Sequence, residues 1–110
     1  MKKLVLLMLL AATPTFAHPK LTSSDPAPDA RIKLVKTIKL SFSEKLEPAF
    51  SGAILTDAAG KPMPVPSSVA GGVITLLPMT LKPGRYSVTW HSVGHDTHRI
   101  TGSFSFEVVP

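Results

Sequence analysis

Short segments in which apolar and polar residues alternate recur along the second half of the chain. In RYSVTWH, at residues 85–91, every second residue from Tyr86 to Trp90 is apolar. Residues 103–109 repeat this alternation, as does the end of 32–42, and residues 52–56 and 72–77 are short apolar runs. A period of two residues is typical of strands with one buried face, and short apolar runs suit buried strands. All five segments therefore favour β structure.

Turn-forming residues separate these segments. Pro83-Gly84, between two of them, predicts a turn that joins two strands. After residue 17 no segment has the apolar spacing of an amphipathic helix. About seven strands in a chain of this length predict an all-β domain, a small immunoglobulin-like β-sandwich or barrel.

Residues 1–17 differ from the rest and predict a cleaved signal peptide. Lys2 and Lys3 precede the apolar run LVLLMLLAA, and Thr15 and Ala17 are small residues placed for cleavage before His18. The run is shorter than the roughly 20 residues of a membrane-spanning helix. A short membrane anchor, a buried N-terminal helix, and cleavage one or two residues away are the alternatives. The expected organisation is a leader over 1–17 and one domain over 18–110, exported and not inserted in a membrane after cleavage.

Composition excludes several classes of site. The chain has no cysteine, so it has neither disulfides nor thiolate metal ligands. The formal net charge is +5, to which Lys2 and Lys3 contribute, and no Lys/Arg-rich run is present, which argues against a nucleic-acid partner. Any metal would need nitrogen, carboxylate or thioether ligands. Only Met63 and Met79, sixteen residues apart, follow the leader, so a soft Cu(I) site is not supported.

The histidines lie after the leader, and three of them fall in HSVGHDTH, as His91, His95 and His98. Asp96 and His98 are two residues apart, so in an extended chain both side chains would point to the same side. They would then form half of a metal site. A solvated Asp–His pair on a loop explains the spacing equally simply.

His18 adds a second half to this metal site. Cleavage after Ala17 would give it a free α-amine, which together with ring Nδ1 closes a six-membered chelate around one ion. Because Pro19 lacks a backbone N–H, the metal cannot displace an amide proton at the second residue. Pro19 also fits a role in resisting aminopeptidases or fixing an extended start. Two nitrogens from His18, one from His98 and an oxygen from Asp96 suit tetragonal Cu(II).

With these residues in place, the chain resembles the periplasmic copper-resistance protein C family (CopC/PcoC-like). The resemblance covers nearly all of residues 18–110. It is carried by the post-leader His-Pro, by Phe42-Ser43-Glu44, by the W-x5-D-x-H run from Trp90 to His98, and by Ile100-Thr101-Gly102.

The resemblance implies a seven-stranded Greek-key β domain in the periplasm that binds one Cu(II) per chain. It implies His18, Asp96 and His98 as ligands, with Glu44 beside the copper as a weak axial ligand or an outer group. It also implies delivery of copper to a CopD-like inner-membrane partner. The chain lacks the methionine-rich loop of longer members, so a single Cu(II) site in a monomer is expected.

Two other interpretations compete with a copper carrier. A terminal-histidine chelate also resembles the copper site of lytic polysaccharide monooxygenases, but an equatorial carboxylate would oppose redox cycling. A plain immunoglobulin-like interaction module would leave the coincidence of His18, Asp96 and His98 unexplained. His91 and His95 are expected to face solvent, with tuning of the copper or a second, weaker ion as the alternative. The chain is accordingly predicted to be a binding protein and not an enzyme.

Overall fold

A computed structural model describes residues 18–110, which form nine β-strands and no helix. The predicted signal peptide, residues 1–17, lies outside the described residues. No helix that is long and apolar enough to cross a membrane occurs in the described part of the chain. The strands are β1 Leu21–Asp25, β2 Arg31–Ile32, β3 Ile38–Phe42, β4 Gly52–Thr56, β5 Pro62–Met63, β6 Ser67–Ala70, β7 Val73–Leu76, β8 Gly84–Val93 and β9 Arg99–Val108.

The strands form two sheets that enclose one apolar core. One sheet has the order β1-β3-β7-β6, and the other has the order β2-β9-β8-β4-β5. Only β2 pairs in parallel, with β9, and all the other pairs are antiparallel. The chain crosses between sheets after β1, β2, β3, β5 and β7, so neighbours in sequence are often in different layers.

The all-β prediction is confirmed, and seven of the nine strands have four or more residues. Residues 32–42, predicted as one segment, divide between the two sheets, because β2 ends at Ile32 in one sheet and β3 begins at Ile38 in the other. The sequence pattern missed β1, β5 and β6. All three are edge strands without a fully buried side chain, so none carries an alternation strong enough to detect.

The longest feature is the hairpin of β8 and β9, whose ten residue pairs run from Gly84 and Val108 to Val93 and Arg99. Trp90 and Gly102 are directly opposite each other in this hairpin. The indole of Trp90 lies over Gly102 and meets the ring of Phe42, from the other sheet, edge-on at a centroid distance of 5.2 Å. This packing locks the two sheets together close to the end of the hairpin that carries residues 94–98.

Candidate metal centre

The loop between β8 and β9, residues 94–98, is a tight turn and not the extended chain considered from the sequence. The backbone N–H of Thr97 donates to the carbonyl of Gly94 at 3.1 Å, and Thr97 has a φ of 67°. The N–H of His98 donates to Oδ1 of Asp96 at 3.3 Å. This bond holds the carboxylate in place through Oδ1, and the second oxygen, Oδ2, faces His18.

The turn brings Asp96 against His18, which is 78 residues away in the sequence. Nδ1 of His18 lies 2.6 Å from Oδ2 of Asp96, and Nδ1 of His98 lies 3.7 Å from the same oxygen. The two imidazole rings are 4.9 Å apart and tilted by 54°. Among the described residues, one potential ligand atom from each of the three side chains lies within 4.8 Å of the others. The three residues predicted as the metal site therefore do come together.

The contact between His18 and Asp96 leaves two buried polar atoms unsatisfied. Despite their short separation, Nδ1 of His18 and Oδ2 of Asp96 make no hydrogen bond of good geometry among the described residues, and the other contact of Oδ2 is the longer one to Nδ1 of His98 at 3.7 Å. Buried polar atoms without partners are rare in folded proteins and call for an explanation such as an ion. A cation bound between them would supply the missing interaction for both.

The carboxylate of Asp96 is held in its charged form. Burial raises the pKa of Asp96, but the N–H of His98 and the charges of His18 and His98 lower it by more, so the pKa of Asp96 lies below its ordinary value. An ionised carboxylate is the form that binds a metal ion. This side chain is therefore ready as a ligand at neutral pH.

The donor set fits a divalent transition metal. Bonds of about 2.0–2.2 Å from one ion reach donors up to roughly 4.4 Å apart, so a spread of 4.8 Å needs an adjustment of a few tenths of an ångström. His98 is the ligand best able to make it, because its side chain is 72% exposed, against 37% for His18 and 8% for Asp96. Imidazole nitrogen with carboxylate oxygen is a combination that suits Cu(II).

The other residues singled out from the sequence lie outside this group. Glu44 is exposed, follows the end of β3, and is not among the three clustered side chains. Its role beside copper stays a prediction. His91 is half-buried on β8, where burial and the charge of Arg99 lower its pKa. His95 is exposed and lines, together with His91, a groove on the side of the loop that also contains Phe50.

Sequence reasoning missed the residues that hold the N-terminal segment in place. Pro19 is fully buried, and its carbonyl accepts a hydrogen bond of 2.9 Å from the hydroxyl of Ser92, which is also fully buried. Serine at a strand end is ordinary, so the composition carries no signal of this role. A buried serine near the end of β8 is recognisable only once the fold places it beneath residue 19.

Comparison with known proteins gives consistent results. The family model described as CopC domain matches residues 21–109. The chain is 40% identical to copper resistance protein C of Xanthomonas campestris pv. juglandis over 109 residues, covering 90% of this chain and 86% of that protein.

Two solved structures share the fold. PcoC, a methionine-rich copper resistance protein from Escherichia coli, matches with a TM-score of 0.74 and 40% identity, covering 84% of this chain and 100% of that one. CopC from Methylosinus trichosporium OB3b matches with a TM-score of 0.79 and 27% identity, covering 84% of this chain and 95% of that one.

Proposed function

The chain belongs to the CopC family, and on that premise we propose that it is a periplasmic protein that binds one Cu(II) ion with His18, Asp96 and His98. Membership of a family of copper resistance proteins implies copper binding. The observation that carries the proposed site is the pair of buried, unsatisfied atoms, Nδ1 of His18 and Oδ2 of Asp96, with His98 beside them.

The α-amine of His18 is the fourth donor in this proposal. In the full chain that nitrogen belongs to the peptide bond with Ala17, so it becomes a ligand only after the leader is removed. Its reference pKa of about 7.7–8.0 allows a strongly binding metal to displace the proton near neutral pH. Export and cleavage would thus complete the site in the periplasm. Glu44 is proposed to approach the copper as a weak axial or outer group.

The oxidation state follows from the donors. Hard nitrogen and oxygen ligands favour Cu(II), whereas Cu(I) prefers soft sulfur. PcoC is a methionine-rich protein, but this chain has four methionines, two of them within the leader. Met63 and Met79 line one groove, and Met79 is 84% exposed, so the described residues offer only two thioethers there. We propose no Cu(I) site.

The protein is proposed to buffer copper and pass it to an inner-membrane partner of the CopD type, acting as a monomer. The exposed ring of His98 leaves the metal accessible from one side, as transfer to a partner requires. Catalysis by a copper oxidase or monooxygenase is not proposed, because the charged carboxylate of Asp96 stabilises Cu(II) and opposes reduction to Cu(I).

The test is a Cu(II) titration of protein that begins at His18, with affinity from competition against a chelator and ligands from electron paramagnetic resonance. One tight tetragonal copper with about three nitrogen ligands is expected. The matched control is the same chain with the α-amine of His18 acetylated, which keeps the imidazole but removes the chelating amine. Weaker copper binding by the control is expected. Equal affinity in both proteins, or no tight copper in either, would refute the site.

A further inference from the structure

The second residue of the proposed mature chain, Pro19, is buried as completely as the core, although it follows a half-buried residue and precedes an exposed one. Its relative exposure is below 2%, whereas His18 is half-buried and Lys20 is exposed. A chain segment next to a terminus is usually mobile unless something ties it down. The contacts of Pro19 therefore fix the direction in which the preceding residue, His18, projects from the fold.

The ring of Pro19 lies in a small socket formed by Ser92 and Gly94, and Gly94 makes one side of it. A Cβ atom built on Gly94 would lie 2.9 Å from both Cγ and Cδ of Pro19 and 3.5 Å from Oδ1 of Asp96. Real Cβ contacts are essentially never that short, so the proline ring occupies the space that a side chain at position 94 would need. Gly94 also begins the turn that carries Asp96. Gly94 thus lies next to both Pro19 and Asp96, which belong to the two halves of the proposed metal site.

The second side of the socket is made by Ser92. Its hydroxyl donates to the carbonyl of Pro19 at 2.9 Å, and neither residue is exposed. A buried carbonyl without a partner costs free energy, so this bond favours one placement of residue 19 over others. Ser92 lies in β8 and Gly94 directly follows Val93, the last residue of that strand, so both contacts come from the same strand end.

The next residue along the chain is fixed to the opposite sheet. The N–H of Lys20 donates to Oγ of Ser43 at 3.0 Å, and the N–H of Ser43 donates to the carbonyl of Lys20 at 2.9 Å. Residues 19 and 20 are therefore attached to β8 and to the end of β3, one in each sheet. This double attachment leaves His18 little freedom except rotation of its own bonds.

We infer that Ser92 and Gly94 are positioning residues of the metal centre, which hold Pro19 so that His18 meets Asp96 before any metal binds. The inference rests on the proposed function. Neither residue offers a ligand to the ion. Their effect is to reduce the freedom that His18 must lose when it binds the ion, which is how groups outside the ligand set strengthen metal sites.

The experiment compares Ser92→Ala and Gly94→Ala with the unsubstituted chain, each protein beginning at His18. Cu(II) affinity is expected to fall by about 10- to 100-fold in both variants, the range typical of lost outer partners. Ser51→Ala is the matched control. Ser51 is also buried and hydrogen-bonds both the N–H and the carbonyl of Val93, and among the described residues its hydroxyl makes no hydrogen bond to Pro19. The Ser51→Ala variant should lose stability as Ser92→Ala does, but should keep the Cu(II) affinity of the unsubstituted chain.

Two further readouts separate positioning from general damage. In metal-free protein, nuclear Overhauser contacts between Pro19 and Gly94 should be present in the unsubstituted chain and in Ser51→Ala, and weakened in Ser92→Ala. In a double-mutant cycle, Ser92→Ala should cost little further affinity once Asp96→Asn is present, because the partner of His18 is already lost.

The outcomes distinguish the inference from the proposed function. If the unsubstituted chain fails to bind Cu(II), the proposed function fails. If it binds tightly while Ser92→Ala binds equally well, or while Ser51→Ala loses as much affinity as Ser92→Ala, the positioning role is overturned. Gly94→Ala is interpreted only if its folded state is verified by circular dichroism, and Ser92→Ala decides the question in either case.

Discussion

Replacing Gly102 by alanine should destabilise the domain through the indole of Trp90. A Cβ atom at position 102 would lie 2.7 Å from Cε2 of Trp90 and closer still to Cζ2, well inside van der Waals contact. Trp90 is only 7% exposed and packs edge-on against Phe42, so its ring cannot move away without disturbing the other sheet. The glycine of the Ile100-Thr101-Gly102 motif is therefore explained by the tryptophan opposite it.

The magnitude follows from two opposing effects. Overpacking a core costs about 1–3 kcal/mol, and the lower freedom of alanine in the unfolded chain returns about 0.4–1 kcal/mol. A net loss of about 1–2 kcal/mol corresponds to a fall in Tm of about 4–16 °C for a domain of this size.

Thermal unfolding followed by circular dichroism measures this loss, and tryptophan emission reports the cause, because Trp90 is the only tryptophan in the chain. Gly71→Ala is the control. Gly71 has a φ of 58° and nothing within 4 Å of its added Cβ, so it should lose stability through backbone strain alone and leave the emission unchanged. An unchanged Tm and an unchanged emission spectrum in Gly102→Ala would refute the packing argument.

Three further predictions concern the histidines and the carboxylate. Asp96→Asn should lower Cu(II) affinity by at least the roughly 10- to 100-fold typical of a lost outer partner, because a charged ligand is removed; chelator competition measures it, and an unchanged affinity would contradict the site. His98→Ala should weaken copper binding, whereas His95→Ala should leave it unchanged, as measured by isothermal titration. Equal losses of affinity in the two variants would contradict the choice of His98 over His95 as the ligand. Burial and the charge of Arg99 lower the pKa of His91 in the folded state. The resulting contribution of His91 to the free energy of unfolding is therefore complete above the unfolded pKa of about 6.5 and is lost as pH falls through the folded pKa. Between pH 8 and pH 5 the urea midpoint should therefore fall further for the unsubstituted chain than for His91→Gln. Equal falls in the two proteins would contradict the lowered pKa of His91.

Local patterns identified the strands that bury one face. The alternation at residues 85–91 lies within β8, that at 103–109 lies in β9 except for its last residue, and residues 52–56 coincide with β4. The polar edge strands β1 and β6 were missed, because an edge strand gains its place from backbone pairing and not from buried side chains. Alternation likewise carries no information on which sheet a strand joins, so the crossing between β2 and β3 was not visible in residues 32–42.

For the metal centre, residue types were enough to propose His18, Asp96 and His98 together, since few side chains in the chain offer such donors. The geometry was not predictable in the same way. The left-handed φ of Thr97 turns the loop where an extended chain was considered, and the hydrogen bond from His98 N–H to Asp96 depends on that turn. The socket around Pro19 depends on contacts across more than 70 residues of sequence, which no local pattern encodes.

The three side chains of the metal centre differ widely in exposure, from 8% at Asp96 through 37% at His18 to 72% at His98. An ion held among them would be shielded by protein on one flank and open to solvent on the other. An incoming donor atom would approach from the open flank, where His98 would be the first ligand displaced, while His18 and Asp96 would still hold the ion. The candidate centre therefore has one exposed ligand, His98, and one buried ligand, Asp96, on opposite flanks. The rate of copper release should depend chiefly on His98, and the strength of retention on Asp96.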